Sequence, residues 1–225
     1  MTRVNNFDDF HQEIHFKQTD TRYFFRGISN EEYELTPKIG RQKNNIFGYH
    51  SKEENIFKRF KNQARQYLSF TPENDWEWLV IAQHHGLPTR LLDWSSNPLV
   101  ALYFAVNNQS VENGAVYVLT YKSGSLDFDI QKNSDPFNIP EDIILFSSPH
   151  VTNRITAQSG LFTIHGDPEK PIPSTNRRLR KIIIESHAKK EIRKTLRNYG
   201  IHDASMFPGL DGLAKYLEDM RTEGL

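Results

Sequence analysis

One short segment of the chain concentrates side chains that can do chemistry. Residues 83–94 read QHHGLPTRLLDW and combine amide, imidazole, hydroxyl, guanidinium, carboxylate and indole groups. The segment lies where a predicted helix ends and its loop begins, and a nearly continuous apolar run follows at residues 99–106. A dense polar group beside a buried apolar helix is typical of a pocket wall, so we expect this segment to line a site.

Each polar residue of this segment also has a structural explanation when it is taken alone. A histidine can be a hydrogen-bonded core residue, and Arg90 with Asp93 can form an ion pair that fixes the loop. His84 and His85 are adjacent, so their side chains diverge by about 100° on a helix and do not chelate one metal together. We therefore expect no metal site, and only the combination of groups favours a pocket.

Two further stretches place an arginine where it suits a ligand. The aromatic run at residues 23–25 leads into Arg26 and Gly27, which predicts a strand followed by a tight turn. Arg26 either anchors a local carboxylate or holds a phosphate through its planar fork, while Gly27 allows a close backbone approach. Downstream, Arg154 and Gln158 precede a glycine and an apolar strand, for which a capped turn is the structural alternative.

The elements that position these residues follow from hydrophobic periodicity and from helix and turn signals. Helices are predicted at residues 6–16, 52–69, 75–85, 99–106, 188–198 and 210–220, with caps at Asn5 or Asn6, at a Ser51–Glu54 capping box, at Asn74 and at Asn97. Strands are predicted at residues 23–25, 114–121, 161–165 and 181–184, and loops at 122–140 and 166–176. The strand at 114–121 is apolar on both faces, which indicates a central position in a sheet.

Composition narrows the class of protein. The chain has 225 residues, of which 37% are hydrophobic, and this is enough for the core of one domain. Lys plus Arg and Asp plus Glu number 28 each, so a nucleic-acid partner must contact a local basic patch, for which residues 177–181 and 189–194 are candidates. There is no cysteine, which excludes disulfides and thiolate sites. Because no apolar segment suits a signal peptide or a membrane span, we expect a cytoplasmic protein that makes no membrane contact.

Well-known catalytic fingerprints are missing from the sequence. It contains no P-loop, no G-x-G-x-x-G, no H-E-x-x-H and no G-x-S-x-G motif. The motifs that it does contain resemble the FRG domain. They are FRG at residues 25–27, QHHGLPTRLLDW at 83–94, ALYFA at 101–105, RITAQSGLF at 154–162 and MFPGLDGL at 206–213. This resemblance implies a single FRG domain over residues 1–225, with a core at about 20–217 and a short N-terminal helix at 6–16.

The order of these motifs also resembles the ADP-ribosyltransferase fold. That resemblance implies an α+β protein whose core is a split mixed or antiparallel sheet flanked by helices. It implies NAD as a substrate and catalytic roles for Arg26 and Gln158. The implied NAD-binding residues are Arg26, Gly27, His84, His85, Gly86, Thr89, Arg90, Asp93, Tyr103 and Arg154. Because Gln158 is neutral, the carboxylate that such chemistry favours would come from Asp93 or Glu185.

The function expected from these observations is that of an NAD-dependent ADP-ribosyltransferase-like enzyme. It would be a bacterial toxin or anti-phage effector that modifies a nucleic acid or a protein, with an antitoxin as a further candidate partner. Two alternatives stay open. One is a non-catalytic module that binds a nucleotide or a nucleic acid in the same pocket. The other is a protein-interaction domain in which the polar residues only stabilise the fold.

Overall fold

The computed structural model describes residues 2–16, 20–41, 49–108, 111–122, 134–139, 142–147 and 152–223. Seven strands lie in these residues, namely β1 (Thr2–Val4), β2 (Thr21–Ile28), β3 (Leu91–Ser95), β4 (Gly114–Lys122), β5 (Ile143–Phe146), β6 (Gly160–His165) and β7 (Leu179–Ile184). The same residues form eight α-helices, namely α1 (Phe7–Glu13), α2 (Tyr49–Ala64), α3 (Asp75–His84), α4 (Pro98–Val106), α5 (Asn153–Ala157), α6 (Lys189–Asn198), α7 (Asp203–Met206) and α8 (Leu210–Glu223). The protein is therefore of the α+β class, as predicted.

All seven strands form one mixed sheet in the order β1-β7-β4-β2-β3-β6-β5. β1 is parallel to β7, and the other neighbouring strands are antiparallel. β2 pairs with β4 along its whole length, but its ladder with β3 is the single register pair of Phe25 with Ser95. The sheet thus has two well-paired halves that meet at one short junction.

Helix α4 packs very close to the half of the sheet that contains β2 and β4. A Cβ atom at Gly27 would lie 1.7 Å from the carbonyl oxygen of Ala101, and one at Gly114 would lie 2.3 Å from that of Ala105. Two glycines on neighbouring strands therefore allow the helix backbone to approach the sheet. Gly27 serves backbone packing inside the fold, in addition to any approach by a ligand.

Several elements are confirmed where the signal is local in sequence. The side chains of Asn6, Asn74 and Asn97 accept a backbone N–H in the first turn of α1, α3 and α4, at 2.8, 3.0 and 2.9 Å. The strands predicted at residues 114–121, 161–165 and 181–184 are β4, β6 and β7. β4 lies between β7 and β2, which confirms its central position.

Other local predictions are wrong. The chain makes no turn at Gly27, because β2 continues to Ile28. α2 begins at Tyr49, two residues before Ser51, so Ser51 is not an N-cap. Residues 91–95 form β3 instead of a loop, and α5 was not predicted as a helix. Most of the loop predicted at 122–140 lies outside the described residues. None of the described helices has the length and apolar character to span a membrane.

Candidate active site at the junction of the two half-sheets

A cavity of about 210 Å³ opens where β2 meets β3. The walls come from β2, the end of α3, β3, α4, α5 and the start of β6. Its polar lining includes side chains from three of the sequence motifs, namely Arg26, Gln83, His84, Asp93, Arg154 and Gln158. Its apolar lining includes Phe25, Trp94, Val100, Phe104, Ile155 and Leu161. Segments that are far apart in sequence are thus brought to one concave site.

Arg26 spans the junction between the half-sheets. Its side chain is 16% exposed, and one Nη1 atom donates to the Asp93 carbonyl oxygen at 2.6 Å and lies 3.6 Å from the Asp93 carboxylate. The buried Nε atom has no hydrogen-bond partner among the described residues. Burial lowers the pKa of Arg26 and the Asp93 carboxylate opposes this effect, but a guanidinium stays protonated in proteins. Arg26 is therefore a positively charged side chain fixed by Asp93, with one N–H donor that has no partner among the described residues. A buried donor without a partner lowers the stability of the folded state.

Asp93 is held in place by a chain of side-chain hydrogen bonds. Gln83 Nε2 donates to the carboxylate at 3.0 Å, and Thr89 Oγ1 donates to Gln83 Oε1 at 2.7 Å. Thr89 in turn accepts the backbone N–H of Leu91 at 3.2 Å. The Asp93 side chain is 56% exposed, so its second oxygen stays open to a ligand or to solvent. The chain of bonds fixes the direction of the carboxylate without covering it.

Arg154 provides a second cation in the cavity wall. Its guanidinium carbon lies 4.6 Å from the centre of the Phe207 ring, which orients the planar group. The guanidinium forms neither a hydrogen bond nor an ion pair with the described part of the chain. Desolvation is the largest effect on its pKa and lowers it, whereas the charge of Asp93 raises its pKa. With Arg26, Arg154 and Asp93, the lining carries a net positive charge and suits an anionic ligand.

Gln158 joins the site to the C-terminal part of the domain. Its Nε2 donates to the Met206 carbonyl oxygen at 3.0 Å, while Ser95 Oγ donates to the Gln158 carbonyl oxygen at 2.6 Å. Because Nε2 must face that carbonyl, Oε1 is the atom left as an acceptor. The next residue, Ser159, has a φ of 47°, an uncommon conformation for a residue other than glycine. Gln158 is thus a fixed amide with one unused oxygen.

His84 lies in the wall as a neutral imidazole. Burial first, and then the charges of His85 and Arg154, lower its pKa to about 4. Its Nδ1 is 3.5 Å from Thr152 Oγ1, and its ring meets that of His85 edge to face at 4.7 Å between centroids. At neutral pH it adds no charge to the site, so it can accept or donate a single hydrogen bond there.

Of the other residues predicted to bind NAD, Gly27 lines the cavity, whereas His85, Gly86, Thr89, Arg90 and Tyr103 lie outside its lining. Arg90 is fully buried and pairs with Glu53, at 2.8 Å from Nη2 to Oε2, so the Arg90–Asp93 pair considered from the sequence is not formed. Tyr103 is buried and donates to Asp203 at 2.9 Å, and the desolvation of this phenol raises its pKa. Thr89 supports Gln83, as described above.

His85 and Gly86 are exposed at the end of α3, where the Gly86 carbonyl accepts from Lys38 Nζ at 2.8 Å. Of the two carboxylates considered from the sequence, Asp93 lines the cavity. Glu185 instead accepts from Arg3 at 2.6 Å beside β1 and β7. The described residues contain no group of His, Cys, Asp or Glu side chains arranged to hold a metal ion.

Sequence reasoning gave no individual role to Gln83 or to the pair of Met206 and Phe207. Gln83 was visible only as part of the QHHG motif, and its bond to Asp93 depends on the unpredicted strand β3. Met206 and Phe207 hold Gln158 and Arg154 from about fifty residues away. The MFPGLDGL motif is the signal that could have identified Met206 and Phe207. Neither residue carries a catalytic group, so their place in a motif indicates that they support other residues.

The fold and the cavity define an α+β protein with a positively charged candidate site between two half-sheets. The family model of the FRG domain matches residues 21–114, which confirms the FRG resemblance for this part of the chain. The match covers less than half of the chain and includes β2, α3, β3 and α4, and with them Arg26, Gln83, His84 and Asp93. Arg154 and Gln158 lie beyond it. Comparison with curated proteins and with solved structures gives no match.

Proposed function

We propose that this protein is an NAD-dependent ADP-ribosyltransferase-like enzyme and that the cavity between the half-sheets binds NAD. One observation carries the proposal. Two guanidinium groups with unused donors, Arg26 and Arg154, share a cavity with an oriented carboxylate, Asp93, and a fixed amide, Gln158. A dinucleotide presents a diphosphate for the cations and ribose hydroxyls for the carboxylate and the amide.

The arrangement of the sheet supports this proposal. An ADP-ribosyltransferase-like core would have a split sheet, and here β2 and β3 share only one register pair. Arg26 lies immediately after that pair, at the point where backbone pairing between the halves stops. A ligand that enters the gap would therefore lie beside Arg26, whose buried Nε has no hydrogen-bond partner among the described residues.

The dimensions of the site fit one end of a dinucleotide. The cavity of about 210 Å³ is smaller than the roughly 300 to 1,000 Å³ that encloses a whole drug-sized ligand. A second depression of about 410 Å³ shares His84 and Arg154 with it and continues towards Pro208 and Lys215. NAD would place its nicotinamide and the adjoining ribose in the inner cavity, and the rest of the molecule would extend across Arg154.

The residues of the chain then have separate tasks. NAD supplies a glycosidic bond whose cleavage releases neutral nicotinamide and leaves positive charge on the ribose. Arg26 and Arg154 bind the diphosphate, and Gln158 Oε1 accepts a ribose hydroxyl. The Asp93 carboxylate stabilises the developing positive charge and receives the proton that the acceptor loses when it bonds to the ribose. Gln83 acts through Asp93 and is a positioning residue.

NAD binding by calorimetry and nicotinamide release by chromatography test the proposal directly. We expect saturable binding and release in the wild type. Arg26→Lys keeps the charge but loses the fork, and should weaken binding at least tenfold. Asp93→Asn should retain binding and lose release. Arg22→Lys is the matched control, since Arg22 is exposed on the same strand outside this cavity and should match the wild type.

The outcomes separate the candidate functions. If NAD binds and Arg26→Lys weakens it, but no nicotinamide is released with protein or nucleic-acid acceptors present, the protein is a nucleotide-binding module. If the wild type does not bind NAD at millimolar concentration, the proposal is wrong. If Arg22→Lys and Arg26→Lys weaken binding equally, the effect is one of general electrostatics and the assignment of the cavity fails.

A further inference from the structure

A basic and aromatic surface lies on α2 and on the loop that follows it. Lys58, Asn62 and Arg65 are spaced by four and three residues and therefore follow one line along this helical segment. Arg59 is exposed beside this line. The loop then presents two aromatic rings, Tyr67 with 81% and Phe70 with 42% of its surface exposed. We call these six residues the α2 surface.

The cations of the α2 surface differ in whether they are already paired. Lys58 lies 3.6 Å from the Glu54 carboxylate, and its neighbour Lys61 pairs with Asp75. Arg59 and Arg65 form no ion pair with the described residues, and both are exposed. Ion pairs, with Glu54 on α2 and with Asp75 on α3, account for the two lysines, but no ion pair among the described residues accounts for the two arginines.

A shallow groove of about 210 Å³ connects one of these arginines to an aromatic ring. Its walls are Arg65, Leu68, Ser69, Phe70, Thr71 and Trp78. The groove offers a guanidinium for a phosphate, hydroxyls for hydrogen bonds and planar rings for stacking, with Tyr67 exposed beside it. Exposed aromatic rings next to unpaired arginines are typical of surfaces that bind single-stranded nucleic acid, since every base has a face that stacks.

From these contacts we infer that the α2 surface binds single-stranded nucleic acid. The sequence as a whole is neutral, so binding must come from a local patch of this kind. A protein partner is less well matched, because Gln63 and Gln66, the other exposed residues from Lys58 to Gln66, add two more amides beside Asn62. The neutral, flat surfaces of bases suit this mixture of amides, guanidinium groups and rings.

The position of the groove relates it to the cavity. Trp78 lines the groove and His84 lines the cavity, and both belong to α3. Six residues at about 1.5 Å each separate them by about 9 Å along the helix axis. Their side chains point about 120° apart around the axis, so a strand held on the α2 surface must also pass partly around α3 to reach the cavity. If the proposed transferase function is correct, the bound strand is the acceptor.

Fluorescence anisotropy with labelled single strands of about 12 nucleotides, DNA and RNA in turn, tests the inference. We expect the double variant R59E/R65E to lose at least tenfold in affinity and to show a shallower salt dependence. Tyr67→Ala should lose about tenfold through the missing stacking contact. All three side chains are exposed, so circular dichroism and thermal unfolding should match the wild type.

The matched control is K190E/K194E, which makes the same change in charge on exposed positions of α6, a helix that the sequence analysis named as a nucleic-acid candidate. Its affinity should stay within about twofold of the wild type. The inference is overturned if this control loses as much as R59E/R65E, or if the wild type binds no strand more tightly than about 100 µM at low salt.

The acceptor role has its own readout, which is transfer of label from NAD to the oligonucleotide. R59E/R65E should lower this transfer while NAD affinity, measured without oligonucleotide, stays unchanged. Binding of the strand without any transfer refutes the acceptor role and leaves the binding surface established. A wild type that binds the strand but not NAD refutes the proposed function alone, so the two failures are distinguishable.

Discussion

The buried ion pair between Arg90 and Glu53 allows a quantitative test of how the site is supported. Both side chains are essentially inaccessible, at 0% and 1% exposure. Glu53 accepts from Arg90 Nε at 3.0 Å, from Nη2 at 2.8 Å and from the Arg90 backbone N–H at 2.9 Å. The pair thus joins α2 to the start of β3, three residues before Asp93.

Removing one partner leaves an uncompensated buried charge, which costs about 3 to 5 kcal/mol. We expect Arg90→Met and Glu53→Leu each to lower the free energy of unfolding by this amount. For a domain of this size the melting temperature falls by roughly 6 to 20 °C. The double variant removes both charges of the pair, so neither is left buried opposite a missing partner. The Arg90 backbone N–H and the carbonyl oxygens of Phe137 and His165 lose a partner, at about 1 to 3 kcal/mol each. With no unpaired buried charge, the double variant should be more stable than either single variant.

Urea unfolding followed by tryptophan fluorescence measures these differences. The matched control is the exposed Lys58–Glu54 pair on the same helix, whose removal should cost at most about 1 kcal/mol. NAD affinity of the folded protein should change little, because Arg90 lies outside the cavity lining. The reasoning is refuted if the single variants keep wild-type stability, or if Arg90→Met loses NAD binding without losing stability.

Three further predictions concern single residues. Gly27→Ala places a Cβ 1.7 Å from the Ala101 carbonyl oxygen, so we expect at least about 3 kcal/mol of destabilisation in urea unfolding, and a loss under 1 kcal/mol would contradict the packing. His165 is 1% exposed, and burial lowers its pKa to about 4. Below about pH 6.5 the unfolded state binds a proton that the folded state does not, so the free energy of unfolding should fall between pH 6.5 and 4 by up to about 1.4 kcal/mol per pH unit. His165→Gln should flatten that slope, which urea unfolding at several pH values measures. Gln158→Glu sets a carboxylate oxygen against the Met206 carbonyl and should lower the urea midpoint by the equivalent of about 1 to 3 kcal/mol, whereas an unchanged midpoint would show that the amide bond contributes nothing.

The parts of the fold that the sequence predicts are those whose causes lie within a few residues. Asn74 and Asn97 cap their helices because each side chain reaches an N–H two or three residues ahead. β4 was recognisable because a run of apolar residues on both faces has few other uses. Strand β3 was missed, since its five residues follow a glycine and a proline and pair with β6, some seventy residues away.

The candidate site was only partly predictable for the same reason. The motifs named most of the polar groups in the cavity, but they could not assign partners to them. Arg90 and Asp93 are three residues apart and of opposite charge, yet Arg90 pairs with Glu53 and Asp93 with Arg26. A polar residue in a motif can contact a ligand or stabilise the fold, and the sequence does not show whether its side chain is buried. Arg90, with a side chain 0% exposed, stabilises the fold, whereas Asp93, with a side chain 56% exposed, is open to a ligand.

The neutral amide at position 158 also has a physical explanation. Its Nε2 is needed as a donor, since the Met206 carbonyl faces it at 3.0 Å, and a carboxylate cannot donate there. The amide thereby connects the cavity to the segment at Met206 and Phe207, where the Phe207 ring packs against the Arg154 guanidinium. In the proposed reaction the negative charge must then come from another wall, and Asp93 is a carboxylate already oriented there by Gln83. In that proposed reaction, Gln158 would orient the ribose and Asp93 would stabilise its charge, two tasks that one glutamate could combine. Asp93 lies on β3 and Gln158 directly before β6, its paired neighbour, so two separate side chains of the same half-sheet would share the work and each could be removed without the other.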